Sequence, residues 1–235
     1  MKVSIHQPMY LPWTPYIAKL IHSDVFVVFD NVQYPGGKSY TNRNYIYQKN
    51  NSILLTLPLE KYSLGSKFFQ ININLKTNWY DKHAKTIKMA YSKSNNPYFI
   101  DELIQLYEIN NIGSDFTNYC ISHLELIKKN LKLKTKIVRA STFKNSYKGL
   151  DRIINILQNF NASTYITGTG EGSMRYMDIE RFRKEKILLK TLDYDDDLQK
   201  YQFGKIRTGA FIDLLIYKGA DAINHVLRNT SLREL

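Results

Sequence analysis

The sequence predicts an α/β domain, with a mixed, mainly parallel sheet flanked by helices, short antiparallel extensions and a helical insertion over about 79–130. Three observations carry this. Val25-Phe26-Val27-Val28-Phe29 is a continuous apolar run, the pattern of a strand buried on both faces in a parallel sheet. Strand-like and helix-like stretches alternate in the first thirty residues and again after residue 136, as βαβ units do. Between them, about 79–130 keeps the helical period. At 235 residues, with 43% apolar and 23% charged side chains, the chain suits one domain over 1–235 and excludes disordered, collagen-like and coiled-coil classes.

The elements follow in order. Val3-Ser4-Ile5 reads as a short strand, a turn with Pro8, Pro12 and Pro15 follows, and Ile17, Leu20 and Ile21 form the inner face of a helix leading to the 25–29 strand. Between Tyr34 and Leu75, strand propensity over 44–47, 53–57 and 69–73 predicts mixed or antiparallel extensions of the sheet. Helices fill about 79–130, with Pro97 breaking one. A strand at 136–139, a helix through 150–157, a strand at 164–167 and a glycine-rich turn restore βαβ alternation. A helix near 179–182, a strand at 187–189, an Asp-rich loop and two terminal helices complete the reading. There is no internal repeat or low-complexity tract.

Composition narrows the function classes. A single cysteine, Cys120, rules out an internal disulfide, a zinc site built on Cys pairs and an iron–sulfur cluster. Its helical, apolar setting marks a small buried hydrophobe. No apolar run is long enough to cross a bilayer, and Met1–His6 lacks the profile of a signal peptide, so a cytoplasmic location is expected. The net charge of +12 suits anionic partners, although the lysines are scattered and the charge is only permissive.

The residues with chemical potential gather in a few places. His6-Gln7-Pro8-Met9-Tyr10-Leu11-Pro12-Trp13 follows the first strand directly, and its prolines can hold His6 and Gln7 in fixed directions at the sheet edge. His6 then suits general acid or base work, against the alternative of a hydrogen-bonded structural histidine. Asp30, in Asp30-Asn31-Val32-Gln33, ends the second strand and makes a His/Asp pair possible, with a turn cap as the plain alternative. Asn42-Arg43 offers a guanidinium among amides for phosphate or carboxylate, or a surface salt bridge. Trp79, Lys82, His83 and Tyr91 fall at helical spacing and either line a pocket or belong to the core. Gly168-Thr169-Gly170, between a strand and Tyr176, can bring backbone N–H groups to an anion, or simply turn the chain. The spacing fits neither a dinucleotide fingerprint nor a Walker loop. Asp193, Asp195, Asp196 and Asp197 could hold a cation, but such a run is more often solvated, and no metal site is assigned.

Taken together, His6-Gln7-Pro8-x-Tyr10-Leu11-Pro12-Trp13, Tyr16, Asp24-Val25-Phe26-Val27, Asp30-x-Val32-Gln33, Asn42-Arg43, Trp79, Tyr165 to Gly168, Tyr176, Tyr201-Gln202, Phe211 to Leu215 and Gly219 resemble the WbqC-like protein family over essentially the whole chain. Lys205 to Ala210 departs from the Ser-rich sequence usual there. The resemblance implies a bacterial protein of O-antigen or other surface-polysaccharide assembly, and a glycine or aminoacyl transferase role. It carries no catalytic assignment, so the site is an inference from the residues: His6 and Asp30 catalytic; Gln7, Tyr10, Trp13, Gln33, Asn42, Arg43, Gly168, Gly170 and Tyr176 substrate-binding. The leading expectation is transfer of a small acyl group, such as glycyl, from an aminoacyl-tRNA, acyl carrier or activated amino acid to a nucleotide-linked or lipid-linked amino sugar. The alternatives are a nucleotidyltransferase-like enzyme and a non-catalytic scaffold of polysaccharide assembly. Cofactor and oligomeric state are left open.

Overall fold

The computed structural model describes residues 1–37, 39–48, 51–94, 96–143, 146–194 and 209–235. Its strands are β1 (Lys2–His6), β2 (Val25–Val28), β3 (Arg43–Gln48), β4 (Asn51–Thr56), β5 (Lys136–Arg139), β6 (Thr164–Thr167), β7 (Leu188–Tyr194) and β8 (Thr230–Glu234). Six of them form one sheet in the order β5-β2-β1-β6-β7-β8, parallel throughout except for the antiparallel edge strand β8. Strands β3 and β4 form a separate antiparallel pair, so this ribbon does not extend the sheet.

Every β2 side chain is buried. Val25 and Val27, with Val3 and Ile5 of β1, join one apolar cluster; Phe26 and Val28 join the other. The sheet is therefore the middle of three layers. One outer layer holds α5 (Gly149–Asn159) and α7 (Ile179–Lys184). The other holds α1 (Thr14–His22), α2 (Trp79–Ala90), α3 (Pro97–Gln105), α4 (Phe116–Asn130), α8 (Phe211–Lys218) and α9 (Asp221–Arg228). A single turn, α6 (Glu171–Met174), follows β6. Pro97 opens α3 as its first residue, where the missing N–H costs nothing, and the Asn96 side chain caps Phe99 N–H.

Two further elements differ from expectation. The stretch 69–73 is a 3₁₀ turn over Phe68–Gln70 followed by isolated bridges. Gln70 Oε1 accepts Lys67 N–H, and Phe68, Ile71 and Ile73 each bury alone, so local capping prevails over strand propensity. Strand β8 was not expected, because Thr-Ser-Leu-Arg-Glu buries no face fully and takes its order from pairing with β7.

From β1 the chain fills β2 and later β5 on one side, and then crosses to β6 on the other. The order thus reverses between β1 and β6. Parallel sheets open a crevice at such a point, outside the carboxyl ends of the strands. His6 ends β1 and Thr167 ends β6.

Candidate active site at the strand-order reversal

The loop leaving β1 is pinned before it reaches α1. Tyr10 N–H donates to Thr41 O at 2.8 Å, and Asn44 Nδ2 donates to Leu11 O at 2.6 Å. Leu11 takes φ +47°, a conformation that a bulky L-residue adopts only when its surroundings impose it. The loop is therefore fixed in direction, with His6 and Gln7 at its base.

These two residues line a cleft of about 540 Å³ together with Gln33, Arg152, Tyr165, Thr167, Gly170, Ser173 and Tyr176. The His6 ring packs against Tyr16 with centroids 4.4 Å apart. Its Nδ1 lies 3.1 Å from Gln7 O. A carbonyl can only accept, so Nδ1 carries the proton and Nε2 keeps its lone pair. Burial, and then the Lys19 ammonium, hold the imidazole at a pKa of about 3, which leaves it neutral at pH 7.

Asp30 does not orient this imidazole. It is fully buried, and its carboxylate accepts from Arg139 Nε at 2.7 Å, Ser141 N–H at 2.7 Å and Ser141 Oγ at 2.6 Å. Arg139 also binds Asp115 at 2.8 Å, the residue that caps α4. The carboxylate is therefore saturated by the joint between β2, β5 and α4, and no hydrogen bond links it to His6 among the described residues. Tyr10 is likewise withdrawn from the cleft. It is fully buried, 2.9 Å from His83 Nδ1 and 2.8 Å from Tyr107 Oη, within a cluster of Trp79, His83, Tyr107, Tyr119 and His123. Of the helical set, Trp79, His83 and Tyr91 are core and Lys82 is exposed. Asn42 is buried and donates to Leu57 O, and Arg43 donates to Gly37 O; both hold the loop ahead of the ribbon. Trp13 bridges to Ala210 and packs edge-on against Tyr194. Gln33, Gly170 and Tyr176 stand in the cleft wall, and Gly168 lies beside it. Asp193 pairs with Arg233 at 2.7 Å, whereas Asp195–Asp197, Tyr201-Gln202 and Lys205–Thr208 lie outside the described residues.

Sequence reasoning missed two basic residues. Arg152 lines the cleft and also a second concavity of about 450 Å³, shared with Asn31, Lys67, Phe69, Arg139 and Phe143. It donates to Asn31 O at 3.0 Å and Tyr147 O at 2.7 Å. Lys19, on α1, is only 6% exposed, and burial lowers its pKa to about 8. In the sequence it looks like any helical lysine. The helical period places it opposite the Ile17, Leu20 and Ile21 face, so no pattern marks it as buried. Cys120 is fully buried and its thiol is pushed well above its usual range, first by burial and then by Asp115. No group of three or more His, Cys, Asp or Glu converges as a metal cluster would among the described residues. No helix among them is long and apolar enough to cross a membrane.

The profile of the WbqC-like protein family matches residues 7–225. An uncharacterized protein of Mycobacterium tuberculosis (strain ATCC 25618 / H37Rv), Rv1507c, is 23% identical over 231 residues, covering 96% of this chain and 97% of that protein. No solved structure matches the chain.

Proposed function

The chain belongs to the WbqC-like protein family, and we propose that it is a transferase of bacterial surface-polysaccharide assembly that moves a small acyl group, such as glycyl, onto the amine of a nucleotide-linked or lipid-linked amino sugar. The observation that carries the reading is a neutral imidazole, His6, with a free Nε2 lone pair, held by a rigid loop in a polar cleft at the strand-order reversal. A polar cleft at this edge favours an enzyme over a scaffold, which would instead present an exposed apolar patch there. In the reaction the amine nitrogen bonds to the acyl carbon of an ester or thioester donor. The bond from that carbon to the leaving oxygen or sulfur breaks. His6 Nε2 takes the proton shed by the amine and returns it to the leaving group. Gln7 and Tyr176, on the cleft wall, suit the sugar's polar groups, and Arg152 suits an anionic one.

The test is direct. Purified protein is incubated with glycyl-tRNA or a glycyl thioester and a nucleotide-linked amino sugar, and the sugar is weighed by mass spectrometry. A glycyl mass gain that His6→Ala abolishes supports the reading; a gain that survives in His6→Ala moves the base elsewhere. In cells, a native polysaccharide repeat that keeps every N-acyl group after deletion of the gene refutes it.

A further inference from the structure

The helix layer beside β1 contains a charge that no carboxylate neutralises among the described residues. It is the ammonium of Lys19, which is 6% exposed. The α1 backbone around it is tied to the sheet through Ser4 and Ser23, whose hydroxyls reach Lys19 O. A buried ammonium without a counter-charge opposes folding, and a methionine would fill the same space without that cost. The nearby imidazole of His6 is a second cationic group in waiting, which the ammonium disfavours.

The ammonium has a definite place. A Cβ on Gly168 would lie 3.0 Å from Lys19 Nζ and 3.5 Å from Ser173 Oγ. The charged end of the side chain thus meets the glycine-rich turn at the carboxyl end of β6, next to the His6 end of β1. Around that turn, Thr169 and Gly170 donate their N–H groups to no acceptor among the described residues. Ser173, Gly170 and Arg152 face the same cleft as His6. A buried cation, free backbone donors, a hydroxyl and a guanidinium are the parts from which phosphate sites are made.

We propose that Lys19, the Gly168–Gly170 turn and Ser173 form an anion subsite for a phosphate of the substrate, so that the acceptor is a sugar diphosphate with its phosphate at Lys19 and its reacting end at His6. This deepens the transferase reading and rests on it for the identity of the sugar, while the subsite itself can be measured without turnover. A phosphate beside Lys19 cancels the charge that opposes protonation of His6, so the group that recognises the substrate also strengthens the base.

Calorimetric titration of the full chain with inorganic pyrophosphate at low salt reads the subsite directly. Lys19→Met is expected to weaken pyrophosphate binding by about tenfold or more, the scale of one lost charge-assisted contact, while leaving the melting temperature unchanged or higher. Should Lys19→Met fail to fold, Gly168→Ala serves instead. Its methyl group presses on the movable end of Lys19 and touches Ser173 Oγ at ordinary contact distance, and the same loss is expected. Two further titrations, with a nucleoside diphosphate and a short isoprenyl diphosphate, separate a nucleotide-linked from a lipid-linked acceptor by which binds more tightly than pyrophosphate. Pyrophosphate binding that is absent in the wild type, or equal in wild type and variant, overturns the subsite. Neither organic diphosphate exceeding pyrophosphate overturns the sugar diphosphate. If acyl transfer is never found but Lys19 governs pyrophosphate binding, the transferase reading falls and the subsite stands.

Discussion

Replacing His83 and His123 together by glutamine should remove much of the protein's sensitivity to mild acid. Both imidazoles sit in the Tyr10–Tyr107 cluster, where burial, and for His83 also the neighbouring His123, lowers their pKa from 6.5 to about 4. The sign follows from linkage. The unfolded chain binds these protons below pH 6.5 while the fold still refuses them, so stability is present above that pH and is lost as pH falls. Between pH 7 and 5 each imidazole costs the fold roughly 2 kcal/mol, or about 4 for the pair, a large part of a typical 5–15 kcal/mol. Asp213 opposes this. Buried at 4% exposure, with Oδ1 accepting from Tyr91 Oη and Tyr47 N–H and Oδ2 without a hydrogen-bond partner among the described residues, it has a pKa raised to about 7 by burial. Its share of stability is lost as pH rises, by roughly 2 kcal/mol from pH 5 to 7. The wild-type profile therefore mixes both slopes, and only the difference between wild type and double variant isolates the histidines. Urea midpoints at pH 7, 6 and 5 provide the assay, with glutamine chosen because its amide can still meet Tyr10 and Tyr107. A wild type that loses about 4 kcal/mol more than the variant over this range bears out the reasoning, and parallel profiles refute it.

Other outcomes follow from the same geometry. Asp213→Asn should gain stability relative to wild type by roughly 2 kcal/mol as pH rises from 5 to 7, read from the same urea series. Asp30→Ala should cost about 1–3 kcal/mol, because it leaves Ser141 N–H and Arg139 Nε without their acceptor while Arg139 keeps Asp115, and pyrophosphate binding by the folded fraction should stay close to wild type; a large loss of binding at unchanged stability would return Asp30 to the cleft. Cys120 should resist iodoacetamide until the chain unfolds, and Cys120→Ser should leave turnover near wild type, since a thiol held above its usual range in an apolar helix face supplies no thiolate. With His6 neutral down to a pKa of about 3, kcat/KM should show no acid limb assignable to His6 between pH 7 and 5; a limb that His6→Gln removes would contradict the stated environment.

The parallel core was readable because β2 is apolar without interruption, which only two-sided burial explains, and because strand–helix alternation leaves few other arrangements. The ribbon β3–β4 was readable as strands but not as a separate unit, since propensity is silent about which sheet a strand joins. At the site, the sequence placed His6, Gln7 and Asp30 at adjacent strand ends and the glycine turn after a later strand; the topology brings His6, Gln7 and Gly170 of that turn to one cleft. It misled at Tyr10, close to His6 in the chain, and at Asp30, at the adjacent strand end; both carry suitable chemistry but turn into the core, one to an aromatic–histidine cluster and the other to Arg139. Proximity along the chain says nothing of which way a side chain turns. Lys19 shows the converse, since burial of a charge is a property of the packed layers and leaves almost no trace in a helix of ordinary composition.

The joint between Asp30 and Arg139 also sets an order of events during folding. The two residues are 109 positions apart, and closing an unstructured loop of that length costs about 4 kcal/mol beyond the constant term. The strand that completes the joint, β5, is four residues long and pairs within the sheet only with β2, too little contact to offset that cost by itself. The chain between them must first shorten its own span, which folding of α2, α3 and α4 does. Strand β5 is thus expected to join the sheet after those helices have formed. Its amide protons should exchange through a partial opening that releases the edge at Arg139, while those of β1, enclosed between β2 and β6, wait for the whole fold to open.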